Sequence, residues 1–242
     1  MKIKKYKICI FAYSFKHKKT NDFINILIKY NCLNVVIAAP KTFVKIKSTW
    51  KPKNNTILNL DIKRAEELSL KNQLKYFQVD HKNFIKIQSI VKKYKINLGI
   101  ISGARIIDKK IIKLFKYGII NFHPGKIPET SGLDSFFWTI KKNINPYVTA
   151  HFIDNHVDRG KIIIQKKVKV LLRDNFYTLT NRIYKSQLEL LKKILKAVIN
   201  NKRLLTMPVK NYSKNKQLDT SEKKNIYYKM FFNWKKKLNE FL

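Results

Sequence analysis

The feature that most constrains this chain is a succession of short Ile- and Val-rich runs separated by helix-length segments. The runs Ile3–Tyr13, Leu33–Ala39, Tyr76–Val79, Asn97–Ser102 and Tyr117–Phe122 have the length and composition of buried strands. Between them, about Thr20–Tyr30, Ala65–Tyr76 and Lys82–Tyr94 carry apolar residues at helical spacing. Strands alternating with helices predict an α/β fold: an open sheet of mostly parallel strands with helices on both faces. Further on, Leu133–Lys142 predicts a helix, and Pro146–Ile153 and Lys161–Val170 predict strands. Phe176–Asn200 predicts a long amphipathic helix with Asp174 as its N-cap. The 242 residues divide into a catalytic-sized domain, 1–203, and a basic, aromatic extension, 204–242. In an open α/β sheet, ligands bind beyond the carboxyl ends of the strands, so that edge is where functional residues are expected.

The formal charge of +37 narrows the function less than its size suggests. Only six of the 52 basic residues are Arg, and the lysines are spread rather than clustered. A protein that reads bases leans on Arg, so specific nucleic-acid binding is not expected, although such a surface attracts polyanions at low salt. Two cysteines, Cys9 and Cys32, make neither a disulfide framework nor a metal site. No apolar stretch is long enough to span a bilayer, and the lysines before ICIFAY lead into a strand rather than a cleavable leader. A cytoplasmic chain is the expectation.

Residues 121–160 stand apart. Four basic and four acidic residues cancel there, and the window holds His123, His151 and His156. Asn121 and His123 lie two apart on a strand, so their side chains point to one face, and Pro124 ends the ladder after them. A helix and a strand then allow Asp158 to return beside His123. An Asn amide and a protonated His can both donate to an oxyanion, and an Asp can orient the His. With no Ser or Cys placed as nucleophile, the pattern suits acyl transfer to a substrate that brings its own nucleophile, such as an amine. His151, in a β-like run, reads as a structural, hydrogen-bonded histidine.

The stretches N-F-H-P-G-x-I-P and V-T-A-H-F-I-D-x-x-V-D-x-G-x-I-I-x-Q, ending at Gln165, resemble the 10-formyltetrahydrofolate-dependent formyltransferases. The resemblance is firm from about Leu98 to Gln165. It implies the Rossmann-like formyltransferase fold, 10-formyltetrahydrofolate as co-substrate, and Asn121, His123 and Asp158 as the catalytic triad. It also implies that Arg105 and Ile107, with the loop Asp154, Asn155 and His156, hold the folate, and that Gly132 lies near the second substrate. No glycine precedes Gly99, so the Gly-rich phosphate loop of the purine-pathway relatives is missing. Its place is taken by Lys16, His17 and Lys18, which could meet an anion at a helix N-terminus. Forty residues after the long helix are too few for the extra domain of methionyl-tRNA formyltransferase. The sugar N-formyltransferase branch fits best. The expected substrate is the amine of a nucleotide-linked amino sugar, destined for a surface polysaccharide, and a homodimer is compatible with this. The alternatives are phosphoribosylglycinamide formyltransferase and a non-enzymatic basic nucleic-acid-binding protein.

Overall fold

The computed structural model of the chain describes residues 6–41, 50–52, 61–104, 106–212 and 214–239. Its centre is a seven-stranded sheet in the order β3-β2-β1-β4-β5-β6-β7. The strands are β1 (Ile8–Tyr13), β2 (Leu33–Ala39), β3 (Lys75–Gln78), β4 (Leu98–Ile101), β5 (Ile119–His123), β6 (Tyr147–Phe152) and β7 (Ile162–Lys167). The first five are parallel, β6 runs antiparallel to β5, and β7 runs antiparallel to β6 at the edge. β1 and β2 are buried almost along their whole length, which is why they read as unbroken apolar runs.

Alternate residues of β1 feed two cores. Ile8, Ile10 and Ala12 face one cluster with Phe23 and Leu27 of α1 (Lys18–Lys29) and Leu191 and Ile194 of α6 (Phe176–Ile199). Cys9 and Phe11 face the other, with Ile87 and Ile90 of α3 (Phe84–Lys93) and Ile111 of α4 (Lys109–Ile112). Helices therefore cover both faces of the sheet, as the strand–helix alternation predicts.

Three boundaries differ from expectation. The helix α2 (Ala65–Lys71) stops five residues short of Tyr76, because Asn72 to Leu74 turn the chain into β3. The strand β7 ends at Lys167, three residues before Val170. The N-cap of α6 is Asn175, which forms a capping box with Thr178, while Asp174 is buried beneath it and paired with Arg182. Most of residues 41–60 lie outside the described residues, as do Ile3 to Lys5 at the start of the first strand run. Trp50 packs against Phe137, Tyr227 and Tyr228.

The C-terminal residues lie on the sheet's main core rather than apart from it. α7 (Thr220–Asn225), a π-turn (Ile226–Met230) and α8 (Phe231–Asn239) bury Ile226, Phe231 and Trp234 in the same cluster as Phe137 and Phe176. Lys223, 2% exposed, pairs with Asp134 just ahead of α5 (Ser135–Lys141). Among the described residues no helix is long and apolar enough to cross a membrane, and no group of His, Cys, Asp and Glu is arranged to hold a metal.

Candidate active site

β5 ends at the carboxyl edge of the sheet with Asn121 half-buried and His123 buried, on one face. Phe122 between them points into the core against Phe23. The antiparallel partner β6 sets His151 opposite Asn121. The loop after β6 then returns Asp158 with a left-handed backbone, φ 51°, a conformation that short polar side chains tolerate.

These residues meet. The Asp158 carboxylate accepts from the Gly132 amide at 2.9 Å and faces His123 Nδ1 at 3.2 Å. Asn121 Nδ2 lies 3.4 Å from Asp158 Oδ1 and 3.3 Å from His151 Nε2. His151 Nδ1 lies 2.9 Å from the Phe152 carbonyl, and its Nε2 lies 3.4 Å from Asp158 Oδ1. His123 Nε2 donates to the Thr130 carbonyl at 2.8 Å. His123 is thus flanked by a carbonyl and a carboxylate, two acceptors that only a protonated ring satisfies together.

The electrostatics follow. Burial alone would push the Asp158 carboxyl up, but His123, His151 and the Gly132 N–H outweigh it and hold it at about 2. Burial lowers the His123 pKa, while Asp158 and the Thr130 carbonyl oppose that fall. Close packing keeps the pair in place. A Cβ on Gly125 would lie 2.3 Å from Thr130 Oγ1 and 2.7 Å from His123 Nε2, so only glycine fits beside the ring.

The cluster opens on a cleft of about 510 Å³ lined by Ile101, Ile107, Ile153 and Val157, with Ile106 and Leu133 exposed beside it. Ile107 is buried in its wall, and Gly132, Asp154, Asn155 and His156 also line it. The side chains of that last loop bond one another: Arg159 Nε donates to Asp154 Oδ2 at 2.9 Å, and His156 Nδ1 lies 2.8 Å from Asn155 Oδ1. An apolar slot with a donor–acceptor cluster at one end suits a flat heteroaromatic ring carrying a reactive carbonyl. Arg105 lies outside the described residues.

The basic loop after β1 divides its roles. Lys16 is exposed. His17 caps α1, accepting from the Thr20 amide, and burial, helped by the charge of Lys19, lowers its pKa to about 4. Lys18 pairs with Asp22 at 2.8 Å and lies over the Tyr184 ring. Lys19, which sequence reasoning did not single out, reaches β5: its Nζ donates to the Phe122 carbonyl at 2.9 Å. Burial lowers its pKa to about 8, with Asp158 opposing. The helical phase of α1, unreadable within K-H-K-K, decides which lysine turns inward.

The molecule is thus a Rossmann-like α/β protein with an Asn–His–Asp cluster at the carboxyl end of β5. The formyl transferase family model matches residues 45–195, and the chain belongs to that family. Over 117 residues it is 26% identical to the chloroplastic phosphoribosylglycinamide formyltransferase of Vigna unguiculata, a match covering 45% of this chain and 37% of that protein. The chain thus spans well under half the length of that curated relative. Among solved structures, a 4-N formyltransferase from Francisella tularensis superposes with a TM-score of 0.61 at 19% identity, covering 91% of this chain and 86% of its own. The N-formyltransferase from Helicobacter canadensis, determined with folinic acid and dTDP-3-aminofucose, gives 0.60 at 21% identity, covering 87% and 70%. At these identities the structural likeness establishes the fold.

Proposed function

We propose that this protein transfers a formyl group from 10-formyltetrahydrofolate to the amine of a nucleotide-linked amino sugar, a building block for a surface polysaccharide. The observation that carries this reading is the meeting of Asn121, His123 and Asp158 within hydrogen-bonding reach at the end of an apolar cleft. The amine attacks the formyl carbon, and the carbonyl electron pair moves onto oxygen. Asn121 Nδ2 donates to that oxyanion. Its present contacts, at 3.3 and 3.4 Å, are long, so a substrate oxygen displaces them readily. His123 joins it when its Nε2–H exchanges the Thr130 carbonyl for the substrate oxygen. Asp158, ionised at neutral pH, accepts the amine's proton directly or through a water. Collapse re-forms the carbonyl, breaks the bond to N10 of the folate and returns a proton to that nitrogen, giving a formamide and tetrahydrofolate.

The folate lies against Ile107 and the 154–156 loop in this reading. The amine substrate approaches beside Gly132, its phosphates toward Lys19. A loop without glycine favours such point-charge anchoring over a backbone nest, and so favours a large nucleotide-sugar over a small phosphoribosyl amine. The dTDP-3-aminofucose in the Helicobacter canadensis structure supports the same choice. The test is incubation with the formyl donor and a panel of nucleotide-linked amino sugars, alongside glycinamide ribonucleotide. A mass gain of one formyl group on an amino sugar is expected. A gain on glycinamide ribonucleotide alone would favour the purine-pathway reading.

A further inference from the structure

We propose that Asn215, far along the chain from the catalytic strand, is a positioning residue for the His123–Asp158 pair; its kinetic test rests on the formyl-transfer reading. The link is the loop 129–132. On its inner side that loop makes three contacts with the pair. The Thr130 carbonyl accepts from His123 Nε2, Ser131 Oγ donates to the Asp158 carbonyl at 3.1 Å, and the Gly132 amide donates to the Asp158 carboxylate. The two carbonyls on either side of Thr130 face outward, and Asn215 takes both. Its Nδ2 donates to the Glu129 carbonyl at 3.0 Å and to the Ser131 carbonyl at 2.9 Å, and its own amide adds a bond to Ser131 at 3.1 Å. Its Oδ1 accepts from Lys142 Nζ at 2.7 Å, and Lys142 also reaches the Glu129 carbonyl at 2.6 Å. Every hydrogen-bonding group of this side chain, 8% exposed, is therefore spent on the loop or on its lysine clamp.

The fit is close. Gly132 has φ 96°, and a Cβ there would lie 3.0 Å from the Asn215 carbonyl oxygen, so only glycine lets the two segments lie this near. The segment is pinned on both sides to residues next to the pair. Tyr212 donates to the Val157 carbonyl at 2.5 Å, and the Leu218 amide donates to Asp134 Oδ2 at 3.0 Å. Removing the Asn215 side-chain amide takes one donor from each carbonyl, leaving Glu129 to Lys142 and Ser131 to the Asn215 backbone N–H, and the loop loses the bridge that ties its two carbonyls together across Thr130. A small displacement of the Thr130 carbonyl and the Gly132 amide changes the register of His123 against Asp158, where tolerance is narrow.

Asn215→Ala is expected to lower kcat by about tenfold to a hundredfold while leaving the KM for the folate within about twofold. The acid limb of its pH profile moves upward, because Asp158 loses the Gly132 N–H that helps to hold its pKa down. Asn215→Asp, which sets an oxygen against the same two carbonyls, is expected to be at least as impaired. Trp138→Phe is the control: it removes the Trp138 Nε1 bond to the Lys216 carbonyl on the same segment but keeps an aromatic ring beneath Lys142, and kcat should stay within about twofold. An NMR titration of the His123 ring in substrate-free protein gives a readout independent of turnover, and it should move in Asn215→Ala but not in Trp138→Phe. Should no amine be formylated by the wild type, the functional reading falls and the titration still decides this one. Should Asn215→Ala not fold, Lys142→Met carries the test: a fall of about threefold or more in kcat with an unshifted melting temperature supports positioning. A folded variant with wild-type kcat and an unchanged His123 titration overturns it.

Discussion

Asp158→Asn tests the electrostatic core of the site, and its size can be worked from the structure. The carboxylate accepts the Gly132 amide at 2.9 Å and faces His123 Nδ1 at 3.2 Å, in a position only 9% exposed. A carboxyl held at about 2 against an ordinary value of about 3.9 stabilises the fold by roughly 2–3 kcal/mol at neutral pH. Its folded pKa is depressed, so the stabilisation is present above about pH 4 and is lost as pH falls through about 2. At pH 3 roughly half of it remains by the same linkage. The amide keeps one acceptor but turns a donor toward His123 or Gly132. Urea unfolding of Asp158→Asn should therefore show a loss of roughly 2 kcal/mol at pH 7, narrowing to about half at pH 3. Turnover should fall by about ten-thousand-fold, the scale expected when a histidine loses its orienting carboxylate. A stability gap that does not narrow on acidification, or turnover within about tenfold of wild type, would refute this reasoning.

Two further perturbations follow. Lys19→Met should raise the KM for the amine substrate by about tenfold to a hundredfold with little change in that for the folate, and the wild-type KM should itself rise above pH 8 as the ammonium loses its proton; steady-state kinetics across pH 6 to 10 check both. His81 is fully buried, with Nε2 3.2 Å from the Ile37 carbonyl and its pKa lowered to about 4 by burial. The unfolded chain binds that proton first, so stability should fall by about 2 kcal/mol between pH 7 and pH 5, and urea melts of His81→Phe should show a correspondingly shallower decline.

The sheet was legible because its central strands are buried on both faces: Leu33–Ala39 is an apolar run that packing leaves no freedom to reassign. The strand β5 was legible for a different reason. Asn121 and His123 sit two apart before a proline, and a period of two fixes a shared face. What sequence could not supply was the partner across the fold. Asn215 lies in a Lys- and Asn-rich segment without apolar period, and its bonds to residues 129 and 131 span more than eighty positions. Lys19 hides among like neighbours for the same reason, since the turn of α1 rather than residue type aims it at Phe122. The Asp174 cap failed by one residue because Asp and Asn both cap well, and burial against Arg182 drew the aspartate inward.

The most direct measurement offers the protein one isotopically labelled formyl donor and two competing amines, a nucleotide-linked amino sugar and glycinamide ribonucleotide. NMR follows the label. It should pass to the sugar amine in preference, and this transfer should vanish in His123→Ala. Label that reaches only glycinamide ribonucleotide, or that moves equally well without His123, would contradict the account.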